Sequence, residues 1–519
     1  MSNTKTIAKN TGWYGLETAI SSIVTLFTSV AIARVLGPSK MGYIVYVSLI
    51  ASMASGLGGL GIPATTRKYM AEFLGMAEPG NARYIYFRTL LLQMGLASLA
   101  TGGVLVWVLR DAKADYRLAS VLIVLSIWPS MVNFISAQAN VASENLSANL
   151  PGSVTSIFVY FVAIAATVVF KWGVNGVGLS LLLMRSADFL VRLIPTLRGV
   201  LAWETVQVHP HGLSRRMVAF AWKSVLSMFL ALIVWNRSEV FLLKYLCSDI
   251  RQIAFYSVAF SMAERLLVSA TVFGSAIGAT IFAQYGRDRT KLPAITAASF
   301  RYLALTSIPL HFITAALAIP ILLVLYGKAY QDAAAVVTLA PLLCMPKAFM
   351  APVQSLFESM EKQSFIILST VLAGIVDMGV AWYLIRGGHG AVGACIGSGA
   401  AQVTAIGLLW SAGIVLFGVK LDWAHLAKVL LASAVAACAG YFVARQFVPL
   451  AGVLCGGSVS LMVLFALFYL LRVLEAQDRI RFATVIRMLP KPIGGPADRL
   501  LLLLIRPEPG SVAAAGRAS

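Results

Sequence analysis

Charge is what this sequence has least of. Only 12% of its 519 residues are Asp, Glu, Lys or Arg, while 59% are hydrophobic; a soluble domain carries about 25% charge and no more than about 50% apolar residues. A single chain has no way to hide that much apolar surface from water, so lipid must cover it. Acidic residues are scarcest, 21 against 41 Lys and Arg, which leaves a net charge of +20. The basic residues are scattered through short polar segments without an aromatic-interleaved patch, an arrangement that sets membrane topology and argues against nucleic-acid binding. The five cysteines (Cys247, Cys344, Cys395, Cys438 and Cys455) have no metal-ligand spacing and mostly sit in apolar runs, so neither a zinc site nor a disulfide framework is expected. G-x-x-x-x-G-K-[ST], H-E-x-x-H and G-x-S-x-G are all missing, which argues against an ATP-driven pump and the common hydrolases. Neither a metal nor any other cofactor is expected, and no loop is long enough to hold a separate catalytic domain. Lys5 and Lys9 precede a long apolar run without a small-residue cleavage site, as in a retained first helix.

What the chain has in abundance is apolar runs of membrane-spanning length, about 20 residues each. Boundaries set by Gly, Pro and charge give fourteen, at 12–34, 42–62, 84–109, 118–138, 150–170, 174–197, 217–243, 253–281, 299–325, 333–357, 364–385, 391–418, 426–447 and 450–472. The expected fold is an all-α integral membrane protein. Lys and Arg are about twice as abundant on the side holding Lys5/Lys9, Arg67/Lys68/Arg83, Arg198/Arg215/Arg216 and Arg287/Arg289/Lys291 as on the side holding Arg34/Lys40, Lys244/Arg251 and Lys328. Both termini are therefore expected on the cytoplasmic side of the cell membrane, with a basic tail (Arg479, Arg481, Arg487, Lys491) along its surface.

The chain also repeats. Gly173-Val-Asn-Gly-Val-Gly178 opens the sixth span and Gly388-His-Gly-Ala-Val-Gly393 the twelfth, 215 residues later. Pro129 in span four and Pro341/Pro346 in span ten recur at nearly the same offset, as do the approaches to spans two and eight. This predicts two pseudo-symmetric six-helix lobes, 1–197 and 217–418, joined by a cytoplasmic linker at 198–216. A helix pair at 419–474 and the tail at 475–519 follow. Internal repeats of this kind mark transporters, which handle substrate at the repeat interface.

The few charges inside the spans are the candidate site residues, because each costs about 2.5–3.5 kcal/mol at a helix centre unless it faces protein or water. Arg185, Asp188 and Arg192 share one face of span six. They form either a cationic strip on a cavity or a self-neutralising pair with a snorkelling Arg192. Glu264 lies in a polar stripe with Ser257, Ser261, Thr271 and Ser275, spaced either for a cavity or for helix packing. Lys347 and Asp377, near mid-membrane, are further candidates and potential partners of each other. Arg237 and Glu239 lie near the outer end of span seven. For ion coupling the candidates are Glu17, Asp377 and Glu239; Glu17 reads equally well as a residue of the inner interface. Proline in spans nine (Pro309, Pro320) and ten predicts bent helices.

Ala33-Arg-Val-Leu-Gly-Pro-Ser-Lys-Met-Gly42 and Gly58-Gly-Leu-Gly-Ile-Pro-Ala-Thr-Thr-Arg-Lys-Tyr-Met-Ala-Glu72 are similar to the opening of bacterial Wzx-type polysaccharide flippases of the multidrug/oligosaccharidyl-lipid/polysaccharide (MOP) exporter superfamily. The resemblance recurs at Asn236-Arg-Ser-Glu239, Ala254–Ala259, Leu325–Tyr330 and the Gly-rich starts of spans six and twelve, covering roughly residues 5–420. Glu239 and Arg237 depart from it, since an aspartate is expected at 239. The resemblance implies a two-lobed bundle of alternating access that moves polyprenyl-diphosphate-linked oligosaccharides to the outer leaflet. It implies as partners membrane lipids and the machinery that polymerises or exports the glycan. The rival expectations are a lipid-linked cell-wall precursor flippase and a drug/cation antiporter of the same superfamily.

Overall fold

The structure is a computed structural model that describes residues 2–111, 114–143, 145–205, 212–235, 238–474 and 478, with side chains from Val24 onward at most positions. Among these residues every regular element is helical. In chain order they are α1 (Ser2–Gly58), α2 (Ile62–Gly75), α3 (Pro79–Asp111), α4 (Arg117–Leu125), α5 (Ile127–Ala142), α6 (Leu150–Val169), α7 (Gly173–Leu201), α8 (Leu213–Trp235), α9 (Glu239–Leu246), α10 (Arg251–Leu266), α11 (Val268–Arg287), α12 (Leu292–Ala316), α13 (Ala318–Tyr326), α14 (Ala334–Cys344), α15 (Met350–Ser359), α16 (Gln363–Leu384), α17 (Gly390–Phe417), α18 (Trp423–Ala444) and α19 (Pro449–Leu470).

The fold is an all-α integral membrane bundle. Eight of the described helical stretches are long and apolar enough to cross a bilayer, or ten with the bent pairs α10–α11 and α12–α13. Two of the stretches each hold two expected spans. α1 breaks at Gly37, whose φ of +72° precedes Pro38, and Gln363–Phe417 breaks at a π-helical turn, Ile385–His389. With α7 and α8–α9 added, the described helices are consistent with fourteen spans. Several breaks follow proline: Pro346 lies in the 3-10 turn between α14 and α15, and α12–α13 bend by 69° between Pro309 and Pro320. The bend of 44° at Leu267 carries no proline and interrupts the polar stripe expected to run from Ser257 to Ser275. Gly173 and Gly388, matched in the sequence, both take left-handed conformations, φ +58° and +89°, which favour glycine.

The chain divides into two compact units. The first holds residues 1–258, 326–333 and 367–401. Its core is α2–α7 packed around α1, and segments from both halves of the sequence meet in it. Gly42 lies so close to the Ile250 carbonyl that no side chain fits between them. Tyr330, fully buried, donates to the Ala33 carbonyl at 3.3 Å, and the Gln252 side chain accepts from Ala391 N at 2.9 Å. In the loop beside them, partial burial pulls the Asp249 carboxyl up, but its bonds to Arg251 outweigh this and hold it below the usual carboxylate range.

The second unit holds residues 259–325, 334–366 and 402–519. Within it α12 packs on α14, α15 and α18, and α18 on α19. The α18–α19 pair is glycine-packed: a Cβ on Gly440 would strike Ser460 Oγ and stand 2.7 Å from the Gly456 carbonyl oxygen. Gly440→Ala is therefore expected to cost about 1–3 kcal/mol, read as a lower thermal midpoint in detergent. Gly457→Ala, whose Cβ would meet Leu317 at an ordinary 3.7 Å, should leave the midpoint unchanged.

Candidate functional sites

The charged face of α7 is divided by its surroundings. Asp188 Oδ1 pairs with Arg192 Nη2 at 2.7 Å, both side chains largely buried. Asn133 Nδ2 on α5 donates to Asp188 Oδ2 at 2.7 Å, and Arg192 Nη2 also donates to Ser153 Oγ on α6 at 3.0 Å. Gly152 lets α6 approach this pair: a Cβ there would lie 2.8 Å from Asp188 Oδ1. Arg192 thus belongs to a closed network and holds three helices together. Arg192→Ala would leave Asp188 buried with one partner fewer, an expected loss of about 3–5 kcal/mol. The check is folded yield and thermal midpoint, which Arg192→Lys should partly restore.

Arg185, two turns before Arg192, is differently placed. It lines a cavity of about 390 Å³ between α1, α6 and α7, together with Thr25, Ser153, Ser156, Tyr160 and Met184. Among the described residues no carboxylate forms an ion pair with it; Asp188, which also lines the cavity, is taken by Arg192 and Asn133. A guanidinium in a cavity whose wall combines hydroxyls and a phenol with Val24, Ile157 and Leu181 suits an anionic, hydrogen-bonding group.

The structure brings together two carboxyls that the sequence left apart. Glu239 opens α9 and Asp377 sits in the middle of α16; they are 1% and 0% exposed and lie in contact. Asp377 was expected to have Lys347 as a potential partner, and the carboxyl it meets is instead Glu239. Tyr256 from α10 and Ser398 from α17, both buried, face Glu239. Neither oxygen of Asp377, nor Glu239 Oε2, receives a hydrogen bond from the described residues. Two buried carboxyls in contact repel each other unless a proton or a cation lies between them. The set offers only oxygen ligands, which suit a proton or a hard cation.

The remaining candidates lie elsewhere. Glu264 and Lys347 both lie beside Cys344, with Gln402, in the second unit. Arg237 and the tail residues Arg479, Arg481, Arg487 and Lys491 lie outside the described residues, and Glu17 is on α1 but outside those whose side chains are described. Tyr160, Tyr256, Ser398 and Asn133 escaped the sequence reading. A hydroxyl or amide in an apolar helix carries no charge signal, although Tyr256 lies within Ala254–Ala259, a segment of the resemblance.

No protein-family sequence profile matches the chain, and no curated protein matches it in sequence. Solved structures do match its fold. A lipid II flippase MurJ in an inward closed conformation superposes with a TM-score of 0.69 at 13% identity, covering 86% of this chain and 97% of that one. An inward-facing multidrug resistance MATE family transporter of the MOP superfamily gives 0.62 at 14%, covering 77% and 94%. A MOP superfamily transporter from Pyrococcus furiosus, described by the reverse polarity of its binding pocket, gives 0.55 at 14%, covering 80% and 96%. The shared property is the fold, and it is the fold of MOP transporters.

Proposed function

We propose that this chain is a flippase that moves a lipid-linked oligosaccharide diphosphate across the cell membrane by alternating access, coupled to a proton or monovalent cation. The observation that carries the substrate class is Arg185, a cation lining a cavity of the bundle with hydroxyls beside it, whose charge partner Asp188 makes its ion pair with Arg192 instead. An anion is the ligand such a site favours, whereas a drug or cation antiporter needs a cavity dominated by carboxylates. A glycan diphosphate supplies both the anionic charge and the hydroxyls that Ser153, Ser156 and Tyr160 can meet, while its lipid tail stays in the bilayer. The Glu239–Asp377 pair serves the other half of the cycle, since it can take up and release a small cation and so bias one conformation over the other. No nucleotide site is needed.

The resemblance at 33–42, 58–72 and 254–259 favours a polyprenyl-linked polysaccharide repeat unit as cargo, delivered to polymerase or export machinery. A second reading, a cell-wall precursor as cargo, is favoured by the MurJ likeness; both substrates carry the diphosphate that Arg185 would hold. In either reading both termini are cytoplasmic, and the lobes 1–197 and 217–418 rock about the substrate. A strain lacking the protein should accumulate lipid-linked repeat units on the cytoplasmic leaflet. Normal glycan export in that strain, with hypersensitivity to cationic drugs instead, would overturn the proposal. Accumulation of a cell-wall precursor would select the second reading.

A further inference from the structure

The second unit contains a buried ion pair that the transport reading does not use. Asp478, beyond the end of α19, is fully buried. Its Oδ2 accepts from Arg301 Nη2 at 2.7 Å and its Oδ1 from the Tyr302 hydroxyl at 3.0 Å. Arg301 and Tyr302 lie on α12 and also line a cavity of about 190 Å³, whose opposite wall is the turn joining α17 to α18 and the start of α18, with Lys420, Asp422 and His425. Asp422 caps α18 by accepting from His425 N at 2.9 Å, and its carboxylate offsets one of the two cations Arg301 and Lys420, so the cavity carries net positive charge only when Asp478 is away from it. Because its wall includes the turn between two spans, the cavity lies at a membrane boundary, the cytoplasmic one in the topology expected from Lys and Arg.

An arginine and a phenol converging on one carboxylate, with a lysine and a histidine close by, is a geometry that recognises an oxyanion. Here the chain supplies that oxyanion from its own C-terminal segment. That segment is otherwise basic, with Arg479, Arg481, Arg487 and Lys491, so its attraction to a negatively charged membrane surface opposes the Asp478 contact. We propose that the Arg301–Tyr302 cavity is a site for the phosphate of an anionic lipid, and that Asp478 fills it in competition with that phosphate, latching the C-terminal segment to α12. When phosphate takes Arg301, Asp478 is expelled and the basic segment is free to lie on the membrane. The inference is independent of which cargo the transporter carries.

The test uses the full chain in nanodiscs, with bound lipid counted by native mass spectrometry and tail release followed by limited trypsin cleavage at Arg479 and Arg481. Asp478→Asn removes the internal anion and keeps the side-chain shape. It is expected to retain about tenfold more phosphatidylglycerol than the wild type, the scale of one charge-assisted bond, and to be cleaved faster. Arg301→Gln in the Asp478→Asn background should abolish the gain. Displacement of the lipid by millimolar inorganic phosphate would assign the site to phosphate alone, and retention of phosphatidylglycerol despite it to the lipid headgroup. Either result supports a phosphate site. Equal retention of phosphatidylcholine, or Asp478→Asn with wild-type lipid binding and cleavage, would overturn it. If Arg301→Gln fails to fold, Asp478→Asn alone still decides, because the variant lacks only the competing anion.

Discussion

Asp377→Asn is expected to abolish ion-dependent transport while making the protein more stable in cation-free buffer at neutral pH. The two effects have one cause. Glu239 and Asp377 are buried in contact, and among the described residues no donor reaches either Asp377 oxygen or Glu239 Oε2. An amide at 377 supplies N–H groups that Glu239 can accept from, so a repulsive contact becomes a hydrogen bond worth about 1–3 kcal/mol to a charged acceptor. The same amide removes the charge that makes the pair attractive to a cation. In the wild type a bound ion stabilises the folded state in proportion to RT ln(1 + [L]/Kd), about 2.7 kcal/mol at a hundredfold excess over Kd. The wild-type thermal midpoint should therefore climb with sodium, or with acid if the ion is a proton, whereas the variant's should stay flat. Glu239→Gln should behave alike, and the double variant should be no worse than either single one, because the two side chains act as one site. Transport by Asp377→Asn that keeps the wild-type ion dependence would remove the pair from the coupling step.

This pair also shows where sequence reasoning stops. Glu239 and Asp377 were each visible as charges stranded in apolar spans, since the insertion cost of a carboxyl depends only on its neighbours in sequence. Their meeting depends on how α9 packs against the α16–α17 region, which hydropathy does not encode; from the sequence alone Lys347, also near mid-membrane, is a potential partner of Asp377. The α7 face illustrates the same limit. Helical spacing put Arg185, Asp188 and Arg192 on one side, and a self-neutralising pair was one of the two readings. Which arginine the aspartate takes is settled by Asn133 and Ser153 on other helices. Breaks were legible where proline or glycine causes them, at Gly37–Pro38 and Pro346. The bend at Leu267, which has neither, was not. The glycines matched by the repeat, Gly173 and Gly388, were legible because a left-handed φ at each is a demand on residue type and is written directly in the sequence.

The division of the α7 face leads to the other large effect. Arg185→Gln is expected to weaken binding of a diphosphate-bearing substrate about 10–100-fold, the equivalent of a hydrogen bond to a charged group of about 1.5–3 kcal/mol, with no loss of protein abundance. Abundance should hold because Asp188, the carboxylate that feels the Arg185 charge, keeps its ion pair with Arg192 and its bond from Asn133; Arg192→Ala should show the opposite pattern. The measurement is transport of labelled lipid-linked oligosaccharide into proteoliposomes, with the thermal shift given by soluble pyrophosphate as a substrate-free readout. Arg185→Lys should recover part of the loss, since an ammonium keeps the charge but not the planar fork that suits phosphate. Raising the salt should weaken wild-type binding more than that of Arg185→Gln, because the variant has less Coulomb attraction to screen. The rival antiporter reading predicts the reverse: with the cation gone from the cavity, a positively charged drug should bind Arg185→Gln better than wild type. A gain in cationic-drug transport together with unchanged glycan export would transfer the protein to that class, and a loss of glycan transport alone would fix the cavity as the place where the diphosphate is held.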